Sequence, residues 1–346
     1  MLKAVKTSVL KILKAGGVFR LAAGSGWRRS RLLILCYHGV ASGDGDEHLW
    51  RPALYVMEEF LAQRLAMLKR MGCTVLSLDE GVRRLAAHDL PARSVVLTFD
   101  DGGYDFKANA WSLLKASGYP VTVYQSTYYS EKRLPIFHLM CSYLLWKNCA
   151  GTLQACPEIG VNENTNLASL ATRNAVVEKI VTFAEEQNLS AEERNQQAAR
   201  LALRLGIDYE RILRKRTLQL MTREEIGDLA SQGVNFELHT HRHHTPKEET
   251  LFRREVRENR ERLQGWTGRR PTHFCYPSGV AAPEFLPWLR TEGLASAATC
   301  EHGLAGANAD PLLLPRFLDT SNVRAIEFES WLTGVAEVVP SLNRQG

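Results

Sequence analysis

The chain has 346 residues, 45% hydrophobic and 23% charged, with a formal net charge of +5. That is the make-up of a globular protein able to form one large α/β domain or two small ones. The charge is too mild to imply nucleic acid, and no aromatic–basic ladder or nucleic-acid motif is present. The seven cysteines (Cys36, Cys73, Cys141, Cys149, Cys156, Cys275, Cys300) are odd in number and scattered, with no CxxC pair. They argue against a disulfide framework or a cysteine zinc site and for a reducing compartment, the cytoplasm.

Residues 1–30 stand apart. Lys3, Lys6, Lys11, Lys14, Arg20, Arg28, Arg29 and Arg31 fall at or before the start of the first strand, and all precede the first acid, Asp44. Val5, Val9, Leu10, Leu13, Val18 and Leu21 alternate with them at roughly helical spacing. The apolar stretches are too short to span a bilayer and lack a clear signal-peptide core and cleavage site. Two readings stay open: a basic amphipathic helix lying through residues 1–22 on the inner membrane, and a solvated helix packed on the domain. An uncleaved export signal would instead make the protein periplasmic.

Further along, strands and helices alternate. Leu32 to Cys36 reads as a strand, Met57 to Met71 as a helix running into Gly72, Thr74 to Leu76 as a strand and Asp79 to Leu85 as a short helix. Arg93 to Phe99 is a strand that ends in Asp100-Asp101-Gly102-Gly103, Phe106 to Ala116 is helical, and Val121 to Tyr124 is a strand. This alternation implies a mostly parallel sheet or barrel with its chemistry at the C-terminal strand ends. From about 130 to 220 the pattern breaks into helices, Leu139 to Trp146 and then Ala168 to Leu205, read as an insertion covering one side of the barrel.

Alternation then resumes. Thr222 to Glu225 is a capping box opening a helix to about Ser231, and Val234 to Leu238 is a strand. Thr245-Pro246-Lys247-Glu248 reads as a second capping box, whose helix ends near Gly265. Thr272 to Tyr276 is a strand, Pro283 to Thr291 a short helix containing Pro287, Ala295 to Thr299 and Leu312 to Phe317 strands, and Val323 to Leu332 a last helix. The domain spans residues 31–335, with a tail at 336–346.

Two strand ends carry the chemistry. Val95-Val96-Leu97-Thr98-Phe99 delivers Asp100 and Asp101 to the rim of the sheet, and Phe236-Glu237-Leu238 delivers His239-Thr240-His241-Arg242-His243-His244. One carboxylate and two histidines suffice to hold a catalytic divalent metal with positions left open. His239 and His243, four apart in a compact turn, can aim at one ion. Because adjacent strand residues face opposite ways, Asp100 and Asp101 reach one site only if the strand has ended there. One then binds the metal and the other stays free as a base. The pattern points to metal-assisted hydrolysis that weakens at acid pH, since a metal ligand imidazole must be neutral. No H-E-x-x-H helix is present.

These residues resemble the polysaccharide deacetylases, the NodB-homology carbohydrate esterases. Thr98-Phe99-Asp100-Asp101-Gly102 is similar to their first motif, His239-Thr240-His241-Arg242-His243 to their second, and Phe274-Cys275-Tyr276-Pro277-Ser278-Gly279 to a third motif of the Tyr-Pro-x-Gly branch. Tyr37-His38-Gly39-Val40 and Leu314-Pro315-Arg316 also resemble that branch, which includes exopolysaccharide and capsule biosynthesis proteins. The resemblance covers about residues 32 to 320 and leaves the central insertion unmatched. It implies a distorted (β/α) barrel with fewer than eight regular units. Asp101, His239 and His243 would hold a divalent metal, most often Zn2+, and Asp100 would take a proton from the metal-bound water that attacks an N-acetyl carbonyl. A backbone N–H near Ser278 would face the oxyanion, with Tyr276 and Ser278 as substrate-binding positions.

The chain also departs from that pattern. No histidine follows His302 to act as the late general acid, Cys275 stands at the third-motif arginine position, and no Asp-x-x-Asp-Trp motif is evident. Arg316 could replace that arginine beside Asp100 and keep it ionised, and His38 could shuttle the proton or bind substrate. Equally, His38 reads as a buried, hydrogen-bonded histidine and Arg316 as the partner of a structural acid. Trp50, Trp111 and Trp266 are candidates for stacking on sugar, although tryptophans more often serve the core. The expected function is metal-dependent removal of N-acetyl groups from a bacterial polysaccharide or its lipid-linked precursor. The alternatives are an amidase acting on a small non-sugar amide and a non-catalytic glycan-binding protein that keeps the metal site.

Overall fold

The computed structural model describes residues 2–43 and 45–338. In chain order the strands are β1 (Arg31–Tyr37), β2 (Gly39–Ala41), β3 (Tyr55–Met57), β4 (Thr74–Leu76), β5 (Ser94–Phe99), β6 (Thr122–Gln125), β7 (Thr152–Leu153), β8 (Thr165–Asn166), β9 (Asn235–Leu238), β10 (His273–Cys275), β11 (Ser296–His302), β12 (Ala305–Gly306) and β13 (Leu314–Leu318). Seven of them close into a parallel ring in the order β1, β5, β6, β9, β10, β11, β13 and back to β1. This is the distorted (β/α) barrel the sequence leads one to expect. β4 flanks the first half of β5, and β12 runs antiparallel to the start of β1.

The composition of the strands explains the closure. β5 is buried throughout and β1 at all but its first residue, as parallel strands covered on both faces must be. One set of alternate positions forms the interior: Leu32, Ile34, Val96, Tyr124, Cys275, Ala298 and Leu314 pack together with Leu78 and Leu85 of the helix Leu78–Ala86. Gly81 lets that helix approach, because a Cβ there would stand 2.8 Å from Val96 Cγ2. The same alternation carries Cys36, Thr98, His239 and Arg316 into the interior, further toward the C-terminal ends.

Where the elements differ from expectation, local chemistry explains the difference. The long helix after β9 begins at Glu249, later than the Thr245-Pro246 signal, because the Glu248 side chain caps it by accepting from the Thr250 and Leu251 N–H groups. It runs through Gly265 to Thr267, since a helix tolerates one interior glycine, and stops where Gly268 turns left-handed at φ 71°. Pro287 lies in the first turn of the helix Phe285–Thr291, where its missing N–H has no intrahelical partner to lose. The segment Phe106–Ala110 is a π-turn that leads into the helix Trp111–Ser117. The pairing of β2 with β3 and the short helix Glu47–Trp50 carried no clear periodicity.

The chain divides into two compact units, Met1–Thr127 with Arg223–Gly346, and Tyr128–Thr222. In the second, the helix Phe137–Lys147 is apolar on most sides and packs with the helices Leu170–Glu186 and Ala191–Arg204, the latter opened by a Ser190–Glu193 capping box. In the first, α1 (Leu2–Ala15) and α2 (Val18–Gly24) bring Leu10 and Phe19 against Val335. Lys6 and Lys14 pair with Glu327 and Glu329 at 3.0 and 2.6 Å. Among the described residues no helix is long and apolar enough to cross a membrane. Of the expected tail, Ala336 to Val338 are helical and residues 339–346 lie outside the described residues.

Just past β13, Asp319 is fully buried and accepts from Arg64 Nε at 2.9 Å and from the Tyr37 hydroxyl at 2.9 Å. Burial pushes its carboxyl up to about 6 against the pull of Arg64, so the pair is ionic at neutral pH. Replacing Asp319 by Ala leaves Arg64 buried without its counter-charge and is expected to cost about 3–5 kcal/mol, read as a lowered midpoint in urea unfolding.

Candidate metal centre

Three strand ends turn sharply at one mouth of the barrel. Asp101, Thr240, His243 and Ser278 all hold positive φ (70°, 59°, 56° and 55°), a conformation that non-glycine residues seldom adopt and that clusters at functional sites. β5 ends at Phe99, and the Asp100 N–H still donates to Tyr37 O at 2.9 Å. The left-handed Asp101 then breaks the alternation, so both carboxylates serve one site. Gly102 follows at φ 79°, a conformation glycine adopts freely, with the Gln125 amide packed against its Cα.

The turns bring Asp101, His239 and His243 together. Asp101 Oδ1 lies 3.2 Å from His239 Nε2 and 3.1 Å from His243 Nε2. His239 is buried, whereas Asp101 and His243 are partly open to solvent. His239 Nδ1 sits 2.9 Å from the carbonyl of Cys275, which can only accept, so Nδ1 carries the proton. In a neutral ring the Nε2 lone pair therefore faces a carboxylate oxygen. A contact this close is bridged by a second ring proton or by a cation, and the donor set of two imidazoles and a carboxylate suits a divalent metal. Burial disfavours charge on His243, but Asp101 outweighs it and raises the imidazole pKa. The same two imidazoles hold Asp101 well below the carboxylate range against its burial.

Asp100 lies outside this ligand set, deeper in the barrel. Arg316 grips it with two parallel bonds, Nη1 to Oδ1 and Nη2 to Oδ2, both 2.7 Å. Burial alone would raise the carboxyl, but Arg316 holds it well below its usual range. Arg316 also donates to Thr299 O and lies 3.1 Å from Cys275 Sγ, so a short thiol on β10 leaves room for a guanidinium arriving from β13. The Cys275 and Cys36 thiols point at Asp100 Oδ2 from 3.4 and 3.6 Å, and burial keeps both protonated. His38 Nε2 is 3.8 Å from Asp100 Oδ2, and burial lowers its pKa, leaving it neutral at neutral pH.

Other residues singled out from the sequence go elsewhere. The Tyr276 ring is buried against Phe274 and Phe285 and its hydroxyl donates to Leu312 O, so the side chain faces the core. Ser278 is exposed in the turn. His241 turns away to Thr127 Oγ1 at 2.8 Å and is depressed to about 4 by burial, with Arg242 and Arg262 adding to it. Trp50 carries Arg51 over its ring at 4.5 Å, and Arg51 and Tyr55 are close enough to Asp101 to feel its charge. Trp111 donates to Gln232 on the surface, and Trp266 is half-buried.

Several supporting residues escaped the sequence reading. Ser126 N–H donates to Asp101 O and its hydroxyl to His239 O, tying the two turns together. Asn259 accepts from His239 N–H at 2.9 Å and donates to Gln125 O, while Glu255 accepts from the Arg242 N–H. Glu255 and Asn259 occupy buried-stripe positions of their helix beside Phe252, Val256 and Leu263. Polar residues at apolar-stripe spacing were the available signal. Asp105, pushed up to about 7 by burial, accepts from Val40 N–H at 2.6 Å. A second group, Asp79, Glu237 and His273, lies toward the N-terminal strand ends. There both imidazole nitrogens are engaged, by Ser296 and Asp79, and Glu237 Oε2 accepts two backbone N–H groups, so its donors are already satisfied.

Residues 178–296 match the polysaccharide deacetylase family model, a span that contains the histidine turn and the Tyr276–Gly279 turn. No curated protein matches the chain. Among solved structures, the chain is similar to the Streptococcus pyogenes deacetylase PplD in complex with acetate (18% identity, 86% of this chain and 96% of that one, TM-score 0.56). It is also similar to IcaB from Ammonifex degensii (18%, 88% and 97%, TM-score 0.54) and to BC0361, a polysaccharide deacetylase from Bacillus cereus (15%, 88% and 69%, TM-score 0.52). The fold is that of these deacetylases, and the family model matches over residues 178–296.

Because His243 holds its proton above the usual imidazole value, protons compete with a cation there and are released when it binds. Metal retained per chain after dialysis is expected to fall as pH drops from 8 toward 5, and His243→Ala is expected to lower retention at least about tenfold at every pH, measured by elemental analysis.

Proposed function

We propose that the protein is a metal-dependent deacetylase that hydrolyses N-acetyl groups on amino sugars of a bacterial polysaccharide or its lipid-linked precursor. The observation that carries this reading is the convergence of His239 Nε2 and His243 Nε2 on the Asp101 carboxylate beside a separate, ionised Asp100. Support comes from the family match and from the similarity to proteins described as deacetylases.

Asp101, His239 and His243 would hold the cation, for which Zn2+ fits the two imidazoles and one carboxylate. When bound, it supplies Lewis acidity that polarises the acetyl carbonyl and acidifies water. Asp100 takes the proton of the attacking water. Arg316 keeps it charged and aimed, at the cost of some basicity, so it stays ready even in mild acid. A backbone N–H near Ser278, in the left-handed turn, would face the developing oxyanion, which leaves the 278 side chain free to vary. His38, neutral and 3.8 Å from Asp100, would accept the proton that Asp100 took from water and pass it to the departing amine as the C–N bond breaks and acetate leaves.

Acetate release from an N-acetylhexosamine oligomer by the metal-loaded protein tests the reading. Asp100→Asn is expected to cut kcat by about 10²-fold or more while metal content is unchanged. If turnover survives, the base is another group; if metal binds and no acetylated glycan or small amide is turned over, the site serves binding alone. Arg316→Gln removes the charge that opposes burial, so the Asp100 pKa rises and the acid limb of the kcat/KM profile is expected to move to higher pH.

A further inference from the structure

Of the twelve large apolar side chains that stand exposed among the described residues, five fall within the first 21 positions. Val5, Val9 and Ile12 are 60%, 38% and 70% exposed, and Val18 and Leu21 are 36% and 71% exposed. The other seven are scattered over the rest of the chain. Positions 5, 9 and 12 are spaced four and three apart and so share one stripe of α1. Isolated exposed leucines need no explanation, but a stripe repeated on two successive helices marks a contact surface.

These helices are held in place. Leu10 and Phe19 anchor them to Val335, and the cations nearest the body of the unit, Lys6 and Lys14, are neutralised by Glu327 and Glu329. Thr7 accepts from Arg324 at 2.5 Å, a further tie to the helix Ala325–Thr333. The apolar stripe is therefore fixed in orientation and is not a loose tail that folds back when convenient. On the same N-terminal segment, Lys11, Arg20 and Arg29 are exposed and make no ion pair among the described residues. No acid occurs in the sequence before Asp44, so nothing in this segment offsets them.

We propose that α1 and α2 form a preformed docking surface for an anionic lipid bilayer. Val5, Val9, Ile12 and Leu21 enter the headgroup–acyl boundary, and Lys11, Arg20 and Arg29 meet the lipid phosphates. Charge selects this occupant over a second copy of the chain, because the same basic patch on a partner would face like charge. Preorganisation adds to it: the helices are already folded and anchored, so docking does not bear the cost of ordering them. The inference stands independently of the catalytic reading, since vesicle binding requires neither metal nor turnover.

Co-sedimentation of the full-length protein with phosphatidylcholine vesicles, with and without phosphatidylglycerol, tests it. The protein is expected to sediment with the anionic vesicles only and to be released by rising salt. Ile12→Glu with Leu21→Glu is expected to abolish binding. Lys11→Glu with Arg20→Glu is expected to weaken it about thirtyfold or more. All four side chains are exposed, and unchanged circular dichroism and thermal melting verify that the variants fold. The proposal is overturned if the wild type stays in the supernatant, or if the variants sediment as it does. It is overturned equally if the wild type forms a dimer that Ile12→Glu dissolves while vesicle binding is unaffected, which would give the stripe to a second copy.

Discussion

One hydrogen bond settles the chemistry of the barrel mouth. The Cys275 carbonyl, 2.9 Å from His239 Nδ1, places a proton on that nitrogen and turns Nε2 toward Asp101. Without that bond the imidazole could donate to the carboxylate, and the cluster would be an ordinary buried ion pair. With it, Nε2 meets the carboxylate only through a second ring proton or a cation. The carbonyl belongs to β10, the imidazole to the end of β9 and the carboxylate to the turn after β5, so closure of the barrel creates the requirement. Ser126 and Asn259 keep it in register by holding the backbone of His239 from both sides.

The second constraint is the division of labour between neighbouring carboxylates. Asp100 keeps the inward direction of its strand and meets Arg316, whereas Asp101 leaves it through a left-handed turn and meets the histidines. Two like charges side by side would repel and share a proton if both faced the same partners. Separate countercharges let both stay ionised. The thiols of Cys36 and Cys275 fit this scheme: small, protonated and weakly donating, they fill the space around Asp100 without adding charge, and Cys275 yields room to Arg316.

Among the other polar clusters, the comparison of Asp79–Glu237–His273 with Asp101–His239–His243 is instructive. Both combine carboxylate and imidazole within reach of one ion. In the first, the buried Glu237 and His273 find protein partners and Asp79 stands open to solvent. In the second, the partners are mismatched and the backbone is strained. Strain and electrostatic mismatch at the C-terminal strand ends separate a site built for a ligand from a network built for stability.

Much of the barrel was legible in the residues themselves, because apolar runs and capping signals are local. The strands Leu32 to Cys36, Arg93 to Phe99 and Val234 to Leu238 and the helices between them are written in periodicity, and the two strand-end motifs stand out as charged groups following apolar runs. What sequence could not reveal was set by pairing across distance. The tie of His239 to Cys275, the supporting roles of Asn259 and Ser126 and the turning away of Tyr276 and His241 depend on which strand lies beside which. Arg316 shows the boundary most clearly. Its place near a strand end could be read from the chain, but its two-fold grip on Asp100 exists only once the barrel interior brings β13 opposite the end of β5. Local order follows from the chemistry of neighbours in sequence, whereas the protonation and charge of the site follow from neighbours in space.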